Sequence, residues 1–431
     1  TKKTIVKITK TTNTVIFVNS SSVSDTVLLL TTEEDMIGYK TLAVPGPTNM
    51  PFEIRQAMDV ALEDHRAPDF PEFTKPLLED VKSIFRTTEG RVFLFPGSGT
   101  GGWEAAITNC LSPADTVLTS SFGQFSGLWV EMCGRFRLNV LNYDLDWGEG
   151  VPLDLYRRRL EADKHHEIKA VLACHNETAT GVTSDIAGIR EILDDLGHPA
   201  LLFVDGVSSI GSIEFCMDEW GVDVAIAGSQ KGFMMPTGMA LIGVSQKAME
   251  ACEKSLHSRC YFDFRDMAKA NDQGYFPYTP PATLMRGLRA SIDMLNREGL
   301  DNVHARHTRL AEGVRAAVRA WGLGNCARRS SLYSDTVTAV VVEPGYDANR
   351  VIQAAYHNYG VSLGAGLGKV AGKVFRIGHL GWLNEPMVLQ ALGGVELAMR
   401  DCGVNFTAGS GVGAAIVHYT DRREPLSLAA E

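Results

Sequence analysis

An acid and a lysine end two neighbouring apolar segments of the chain. Asp205 closes the segment LLFVD, and Lys231 follows the segment VDVAIAGSQ 26 positions later. Both segments are apolar enough to be buried strands, and open α/β sheets bind their ligands beyond the carboxyl ends of such strands. We therefore expect the carboxylate and the amine to face the same small molecule.

Pyridoxal phosphate is a cofactor that needs both groups. Its ring nitrogen withdraws electrons only while protonated, which a buried carboxylate enforces, and its aldehyde is held as a Schiff base by a lysine. Taken singly, Asp205 could cap the next helix and Lys231 could be a solvated loop residue. The cofactor interpretation therefore depends on a phosphate site elsewhere in the sequence.

A glycine-rich turn at residues 97–102 provides a candidate phosphate site. The segment FPGSGTGGWEAAITNCL, residues 95–111, leads from a strand pattern through the turn into a helix pattern. Backbone amides at the start of a helix bind phosphate, and glycines let the ligand approach closely. Ser98, Gly99 and Thr100 are the candidate ligands. The turn lacks the lysine of a P-loop and the glycine spacing of a dinucleotide-binding fold.

Two further segments at predicted strand ends are candidates for contacts with the cofactor ring. The segment HNETATG, residues 175–181, supplies hydroxyl groups for a phenolic oxygen, and Phe122 and Phe125 supply aromatic faces for stacking. A helix cap for the first segment and core packing for both phenylalanines are the alternatives.

Arg376 lies inside the apolar segment KVFRIGHL, residues 373–380. An unpaired guanidinium is costly in such a place, so we expect an anionic partner. A substrate carboxylate matches its planar fork. For a lone arginine, however, a structural Asp or Glu is the commoner partner.

Composition limits the classes of partner. The 431-residue chain is 45% hydrophobic, 21% charged and carries a net charge of -10. Nucleic acids and anionic membranes attract clustered basic residues, so this acidic chain is not expected to bind either of them. No apolar run approaches the roughly 20 residues of a membrane span. The eight cysteines show no disulfide or metal-site spacing. We expect a soluble protein without bound metal, cytoplasmic unless residues 1–40 direct import into an organelle.

Alternating strand and helix patterns between residues 90 and 250 predict an α/β fold with a mostly parallel sheet. After about residue 290, long amphipathic segments surround two strand-like runs, residues 336–343 and 373–380. We therefore predict a flexible N-terminal extension (residues 1–40), a large cofactor-binding domain (residues 41–295) and a smaller α+β C-terminal domain (residues 296–431).

Six motifs, in order between residues 42 and 420, resemble those of the class V aminotransferases, and within that family those of its serine-glyoxylate branch. They are VPGPTN (44–49), GSGTGGWEAA (97–106), HNETATGV (175–182), VDGVSSIGS (204–212), AGSQKG (227–232) and KVFRIGHLG (373–381). The resemblance implies the type I fold of transferases that depend on pyridoxal phosphate. It also implies a homodimer with active sites shared between its subunits.

The resemblance further implies roles for individual residues. Lys231 matches the lysine that carries the cofactor, and Asp205 matches the partner of the ring nitrogen. Arg376 matches the arginine that binds the substrate carboxylate, which favours a substrate over a structural ion pair. The remaining cofactor-binding positions are Ser98, Gly99, Thr100, Phe125, Thr178, Val207, Gln230 and, from the neighbouring subunit, Thr279.

Three positions depart from the family pattern. Phe125 lies where many relatives carry a ring-stacking tryptophan, and Phe276 lies where some carry a tyrosine that reaches the phosphate. His65 and Arg66 lie where plant relatives have a tyrosine and an arginine that approach the substrate from the other subunit. The histidine puts that substrate contact in doubt.

The implied reaction is a ping-pong transamination between small amino and keto acids, in which Lys231 moves the α-proton. We expect L-serine as donor and glyoxylate as acceptor, giving hydroxypyruvate and glycine. Aspartate, 3-hydroxyaspartate or alanine as donor are alternatives, as is a desulfurase that uses Cys326 or Cys260. From another class, a non-catalytic module that binds a phosphorylated metabolite would leave the protein colourless.

Overall fold

The computed structural model describes residues 40–421, together with the backbone of two strands, Thr14–Phe17 and Leu28–Thr31. These two strands pair in antiparallel fashion. Residues 1–40 and 41–431 form separate compact units. Apart from these strands and residue 40, the segment predicted to be flexible, residues 1–40, lies outside the described residues.

A seven-stranded sheet occupies the region between residues 91 and 244. From one edge to the other its strands are Arg91–Gly97, Gly238–Val244, Val224–Gly228, Leu201–Asp205, Ile168–Cys174, Thr116–Ser121 and Asn139–Asp144. The last five are parallel to one another, and Gly238–Val244 is antiparallel to both of its neighbours. The predicted α/β fold with a mostly parallel central sheet is confirmed.

The central strands of this sheet are buried on both faces, as their sequences predict. Every residue of Leu201–Asp205 and Val224–Gly228 is buried, because helices cover the two sides of a parallel sheet. The edge strand Asn139–Asp144 is half exposed, and its mixed sequence gave no strand signal. The helices from this part of the chain are Phe52–Met58, Phe70–Asp80, Lys82–Phe85, Gly99–Cys110, Gln124–Arg135, Leu153–Ala162, Ala187–Asp195, Gln246–Cys252, Phe264–Asn271 and Ala282–Glu298.

A second, five-stranded sheet contains the two strand-like runs predicted near the C-terminus. In spatial order its strands are Gly324–Asn325, Val337–Val341, Val374–Gly378, Val361–Ala365 and Thr41–Ala43. The last of these comes from the start of the described chain and runs parallel to Val361–Ala365. The helices Leu300–Ala320, Ala348–Tyr359, Glu385–Asp401 and Ser410–Thr420 complete this region.

The pairing of Thr41–Ala43 brings the next residues, 44–49, to the carboxyl edge of the central sheet, where they contact Gln230 and Lys231. Between residues 40 and 421, each helix is either too short or too polar to cross a membrane. The boundary predicted at residues 295 and 296 stays a prediction.

Candidate functional site

Asp205 and Lys231 lie at the same edge of the central sheet. Asp205 is the last residue of its strand, and Lys231 follows the neighbouring parallel strand Val224–Gly228 by three positions. Lys231 Nζ donates a hydrogen bond to the carbonyl of Pro45. Burial lowers the pKa of Lys231 to about 8; the positive charge of Arg376 also lowers it, and Asp205 opposes the change. The three charged groups therefore influence one another within one site.

Asp205 is a buried carboxylate with few partners. It is 5% exposed, and its Oδ1 accepts a hydrogen bond from the N–H of Val207 at 3.0 Å. Its Oδ2 lies 3.7 Å from the thiol of Cys174. Burial raises the pKa of Asp205 to about 6, and the described residues place no cation within ion-pair distance. A protonated ring nitrogen would supply the cation that this carboxylate lacks.

Arg376 is a buried cation at the centre of the second sheet. It is 7% exposed, and it donates from Nε to the carbonyl of Ala365 at 2.9 Å and from Nη1 to that of Thr178 at 3.1 Å. Burial lowers its pKa to about 10. Within residues 40–421 no carboxylate lies within ion-pair distance of it. The structural Asp or Glu that a lone arginine commonly has is therefore absent, which leaves the guanidinium available to a bound anion.

The glycine-rich turn forms the N-terminus of the helix Gly99–Cys110. Ser98 is the N-cap residue, but its side chain forms no capping hydrogen bond, and Thr100 is exposed. A side chain at position 99 would overlap Val207, so the backbone approaches the strand end closely only with glycine there. The turn thus presents helix N–H groups and free hydroxyls, which suit a phosphate.

Gln230 precedes Lys231 and has a buried Oε1 that lacks a hydrogen-bond partner. An unpaired buried carbonyl oxygen of this kind is costly and is often satisfied by a ligand or a water. The family resemblance assigns Gln230 to the phosphate side of the cofactor. Its orphaned atom is in keeping with that role.

Thr178 and Phe125 come from two further strand ends at this edge. Thr178 is buried, and its hydroxyl donates to Ser208 Oγ at 2.8 Å. Phe125 is half-buried in the first turn of the helix Gln124–Arg135. Phe122 is fully buried in an apolar cluster with Cys174, so its core alternative is the one that the structure shows. Stacking by Phe125 stays a prediction.

The structure of one chain does not bring His65, Arg66 or Thr279 into contact with Lys231 or Arg376. His65 is half-buried, and its Nε2 lacks a hydrogen-bond partner. Arg66 and Thr279 are exposed. All three were predicted to act from a neighbouring subunit, and their roles stay predictions.

Two features of the site escaped the assignment of roles from the sequence. Residues 44–49 lie against Lys231: Thr48 Oγ1 donates to the Lys231 carbonyl at 3.3 Å, and a Cβ at Gly46 would lie 2.5 Å from Nζ. Glu177 is a fully buried carboxylate beside Thr178. The sequence features that correspond to them are the PGP turn of VPGPTN and the glutamate of HNETATGV. Both entered the prediction only as parts of family motifs.

These residues fit pyridoxal phosphate. Asp205 lacks a cation, Lys231 is an amine whose pKa is depressed, and the turn around Ser98 presents unused donors. Arg376, which has backbone carbonyls as partners and no carboxylate among the described residues, could receive an anion. Among the described residues no three potential metal ligands cluster.

Comparisons with known proteins agree with this geometry. A family model described as Aminotransferase class-V matches residues 65–375. A serine-glyoxylate aminotransferase from Hyphomicrobium methylovorum is 57% identical over 381 residues, which cover 88% of this chain and 94% of that protein. An L-aspartate-glyoxylate aminotransferase from Paracoccus denitrificans is 55% identical, over 89% of this chain and 97% of that protein.

Solved structures share the fold. The ureidoglycine-glyoxylate aminotransferase of Bacillus subtilis matches with a TM-score of 0.82 at 26% identity, covering 90% of this chain and 99% of that one. The pyridoxamine-pyruvate aminotransferase of Mesorhizobium loti matches with a TM-score of 0.82 at 27% identity, covering 90% of this chain and 98% of that one. The transferase fold and the family resemblance predicted from the motifs are confirmed.

Proposed function

The chain belongs to the class V aminotransferases, and from this premise we propose that it transfers the amino group of L-serine to glyoxylate, giving hydroxypyruvate and glycine. The observation that carries the proposal is the buried Arg376, which lacks a carboxylate partner in the described chain and lowers the pKa of Lys231. Its planar fork matches a carboxylate bidentately. Both substrates present one carboxylate.

Pyridoxal phosphate, on which this family depends, supplies an electron sink that stabilises negative charge at the substrate α-carbon. Lys231 Nζ is the group that would remove the α-proton and hold it. Its pKa of about 8 lies near neutral pH, where a general base is most effective. Asp205, held by the N–H of Val207, would keep a protonated ring nitrogen paired.

The charges near Arg376 favour a donor with one carboxylate. Among the described residues, Arg376 and Asp205 are the charges that shift the pKa of Lys231, and Glu177 is the one that shifts the pKa of Arg376. One chain therefore offers a single cation to the substrate. A second carboxylate, as in aspartate, needs a second cation.

Aspartate is a second candidate donor, because a partner subunit could provide that cation. We propose a homodimer in which His65 and Arg66 approach the site of the other subunit. The orphaned Nε2 of His65 and the exposure of Arg66 leave both groups available. The relative from Paracoccus denitrificans, which is 55% identical, carries the name of an aspartate enzyme.

The structure does not favour a desulfurase. Such an enzyme needs a reactive thiolate, whereas burial raises the pKa of Cys326 to about 11. Cys260 is exposed, and its Sγ lies 3.2 Å from the hydroxyl of Tyr278. Neither thiol is among the residues that contact Lys231.

A donor screen tests the proposed function. Initial rates with glyoxylate are measured for serine, aspartate, 3-hydroxyaspartate and alanine, with pyruvate as a competing acceptor. We expect serine to give the highest kcat/KM. A large preference for aspartate would replace serine with aspartate as the donor. In that case Arg66→Ala should lose the activity with aspartate and keep the activity with serine.

A further inference from the structure

Glu177 is completely buried, and four donors surround its carboxylate. Oε2 accepts from the N–H groups of Phe125 and Ser126, at 3.0 and 2.8 Å, and from the Ser126 hydroxyl at 2.9 Å. Oε1 accepts from the N–H of Ala179 at 3.0 Å. All four donors suit the ionised carboxylate, which only accepts. Burial raises the pKa of Glu177 above its ordinary value, and these four hydrogen bonds oppose that shift.

These hydrogen bonds join two strand ends of the central sheet. Glu177 lies just beyond the strand Ile168–Cys174, whereas three of its four donors belong to the first turn of the helix Gln124–Arg135. The first N–H groups of a helix have no partners within it, and the helix dipole favours an anion there. Glu177 therefore caps this helix from a distant part of the sequence.

Gly123 makes room for the carboxylate. A side chain at position 123 would overlap the carboxyl carbon of Glu177. The start of the helix Gln124–Arg135 can therefore lie this close to Glu177 only with glycine at that position. The two residues form a matched pair in which one supplies the cap and the other supplies the space.

The residue after Glu177 contacts the candidate site on two sides. The hydroxyl of Thr178 donates to Ser208 Oγ at 2.8 Å, and its carbonyl accepts from Arg376 Nη1 at 3.1 Å. On the other side of the carboxylate, Phe125 is the residue predicted to face the cofactor ring. A shift of Glu177 would therefore move both walls of the site.

We propose that Glu177 is a positioning residue whose carboxylate fixes the separation between the helix that carries Phe125 and the turn that carries Thr178. The proposal rests on the cofactor site described under the proposed function, and it is independent of which amino acid is the donor. Glu177 itself takes no part in proton transfer.

Removing the charge of Glu177 should change the pH dependence of cofactor binding, which a general loosening of the fold would not do. Burial is the main cause of the raised pKa of Asp205; the N–H of Val207 lowers this pKa, and the negative charge of Glu177 raises it further. The other groups around Asp205 are the thiol of Cys174 and the amine of Lys231, whose pKa Asp205 raises. The pKa of Cys174 lies well above its ordinary value, so that thiol stays neutral. Without the charge at Glu177, Asp205 would therefore ionise at lower pH, and cofactor binding would persist to lower pH.

The test titrates pyridoxal phosphate into the full-length, cofactor-free enzyme and follows tryptophan fluorescence from about pH 5 to 8. We expect Glu177→Gln to weaken binding about tenfold at the upper end, as for one lost hydrogen bond to a charged group. We also expect the acid limb of binding to move to lower pH. Asp223→Asn is the control, because Asp223 is also buried and accepts from a backbone N–H and a serine, but at the opposite sheet edge.

A second pair of variants keeps the test usable if Glu177→Gln does not fold. Gly123→Ala should weaken cofactor binding, and Glu177→Asp, one methylene shorter, should restore part of the affinity in that background. Cofactor affinity within about twofold of wild type in Glu177→Gln, or in Gly123→Ala if Glu177→Gln does not fold, would overturn the proposal. The proposal would also be overturned if the acid limb of cofactor binding in Glu177→Gln lies at the same pH as in wild type, or if Asp223→Asn weakens cofactor binding equally. A wild-type chain that does not bind pyridoxal phosphate would overturn the proposed function itself.

Discussion

Replacing Arg376 with methionine should separate substrate binding from stability. Burial lowers the pKa of Arg376 from its ordinary value to about 10, which corresponds to about 3 kcal/mol, since a tenfold change in proton affinity is worth about 1.4 kcal/mol. Because the protonated arginine is the charged form, its burial destabilises the folded chain at every pH at which Arg376 is protonated, which includes neutral pH. This destabilisation disappears only as pH rises beyond about 10. Methionine removes the cost.

The substitution also removes two hydrogen bonds, to the carbonyls of Ala365 and Thr178. At about 1 kcal/mol each, their loss offsets most of the gain. We therefore expect the free energy of unfolding of the cofactor-free protein, measured in urea, to stay within about 2 kcal/mol of wild type. The kcat/KM for serine should fall by about 30-fold to several thousandfold, as when one partner of a desolvated charge pair is lost.

Arg315 provides the matched control, because it is also a buried arginine but has a carboxylate partner. Its Nη1 lies 2.9 Å from Oδ1 of Asp335, and its side chain is 10% exposed. Arg315→Met should lower stability by about 2 to 3 kcal/mol, since the half-buried Asp335 loses a hydrogen bond from a charged group, and leave the KM for serine unchanged. The reasoning is refuted if Arg376→Met is as destabilising as Arg315→Met or if its kcat/KM stays within tenfold of wild type.

Four further variants and conditions test the roles of the site residues. Lys231→Ala should keep the fold and some cofactor affinity but lose at least about a thousandfold in turnover; near-normal turnover would exclude Lys231 as the base. Attachment of added pyridoxal phosphate should speed up as pH rises, with a midpoint near pH 8, because the Lys231 amine loses its proton there; a midpoint near 10.5, its ordinary pKa, would contradict the burial of the amine. Gly46→Ala should slow this attachment, because its Cβ would lie 2.5 Å from Nζ on a backbone with φ of +103°; an unchanged rate would show that the segment does not cover Lys231. With aspartate as donor, co-expressed Lys231→Ala and Arg66→Ala chains should be more active than Arg66→Ala alone, since a shared site would then be intact in mixed dimers; equal activity would argue against sharing.

The sequence was most informative where local pattern and topology agree. The segments ending at Asp205 and near Lys231 are apolar on both faces, which predicts buried parallel strands. Parallel strands linked by helices end at one edge, so the two charges had to meet there. The glycine turn before the helix Gly99–Cys110 is also a local signal, and the structure places it at that edge.

The remaining parts of the site depend on contacts between distant segments. Lys231 Nζ donates to a carbonyl 186 positions away in the sequence, and that contact exists because Thr41–Ala43 joins the second sheet. Glu177 caps a helix that begins more than 50 positions earlier, as its bonds to Phe125 and Ser126 span 52 and 51 residues. No local pattern encodes such a cap, since glutamate has no special preference for a strand end.

The sequence also could not predict that the described residues place no carboxylate beside Arg376. The chain has 51 acidic residues, and any of them could have paired with this arginine. Only the packing of Val374–Gly378 between its neighbouring strands shows that backbone carbonyls hold the guanidinium instead. The apolar context favoured a structural ion pair, which the described residues do not contain; the substrate role implied by the family resemblance stays a prediction.

Covalent attachment of the cofactor to Lys231 can be measured directly. The purified protein, loaded with pyridoxal phosphate, is reduced with borohydride, digested and analysed by mass spectrometry. We predict that the phosphopyridoxyl group is found on the peptide that contains Lys231 and that Lys231→Ala abolishes it. A label on another lysine, or none on a loaded and reduced protein, would contradict the assignment of this site.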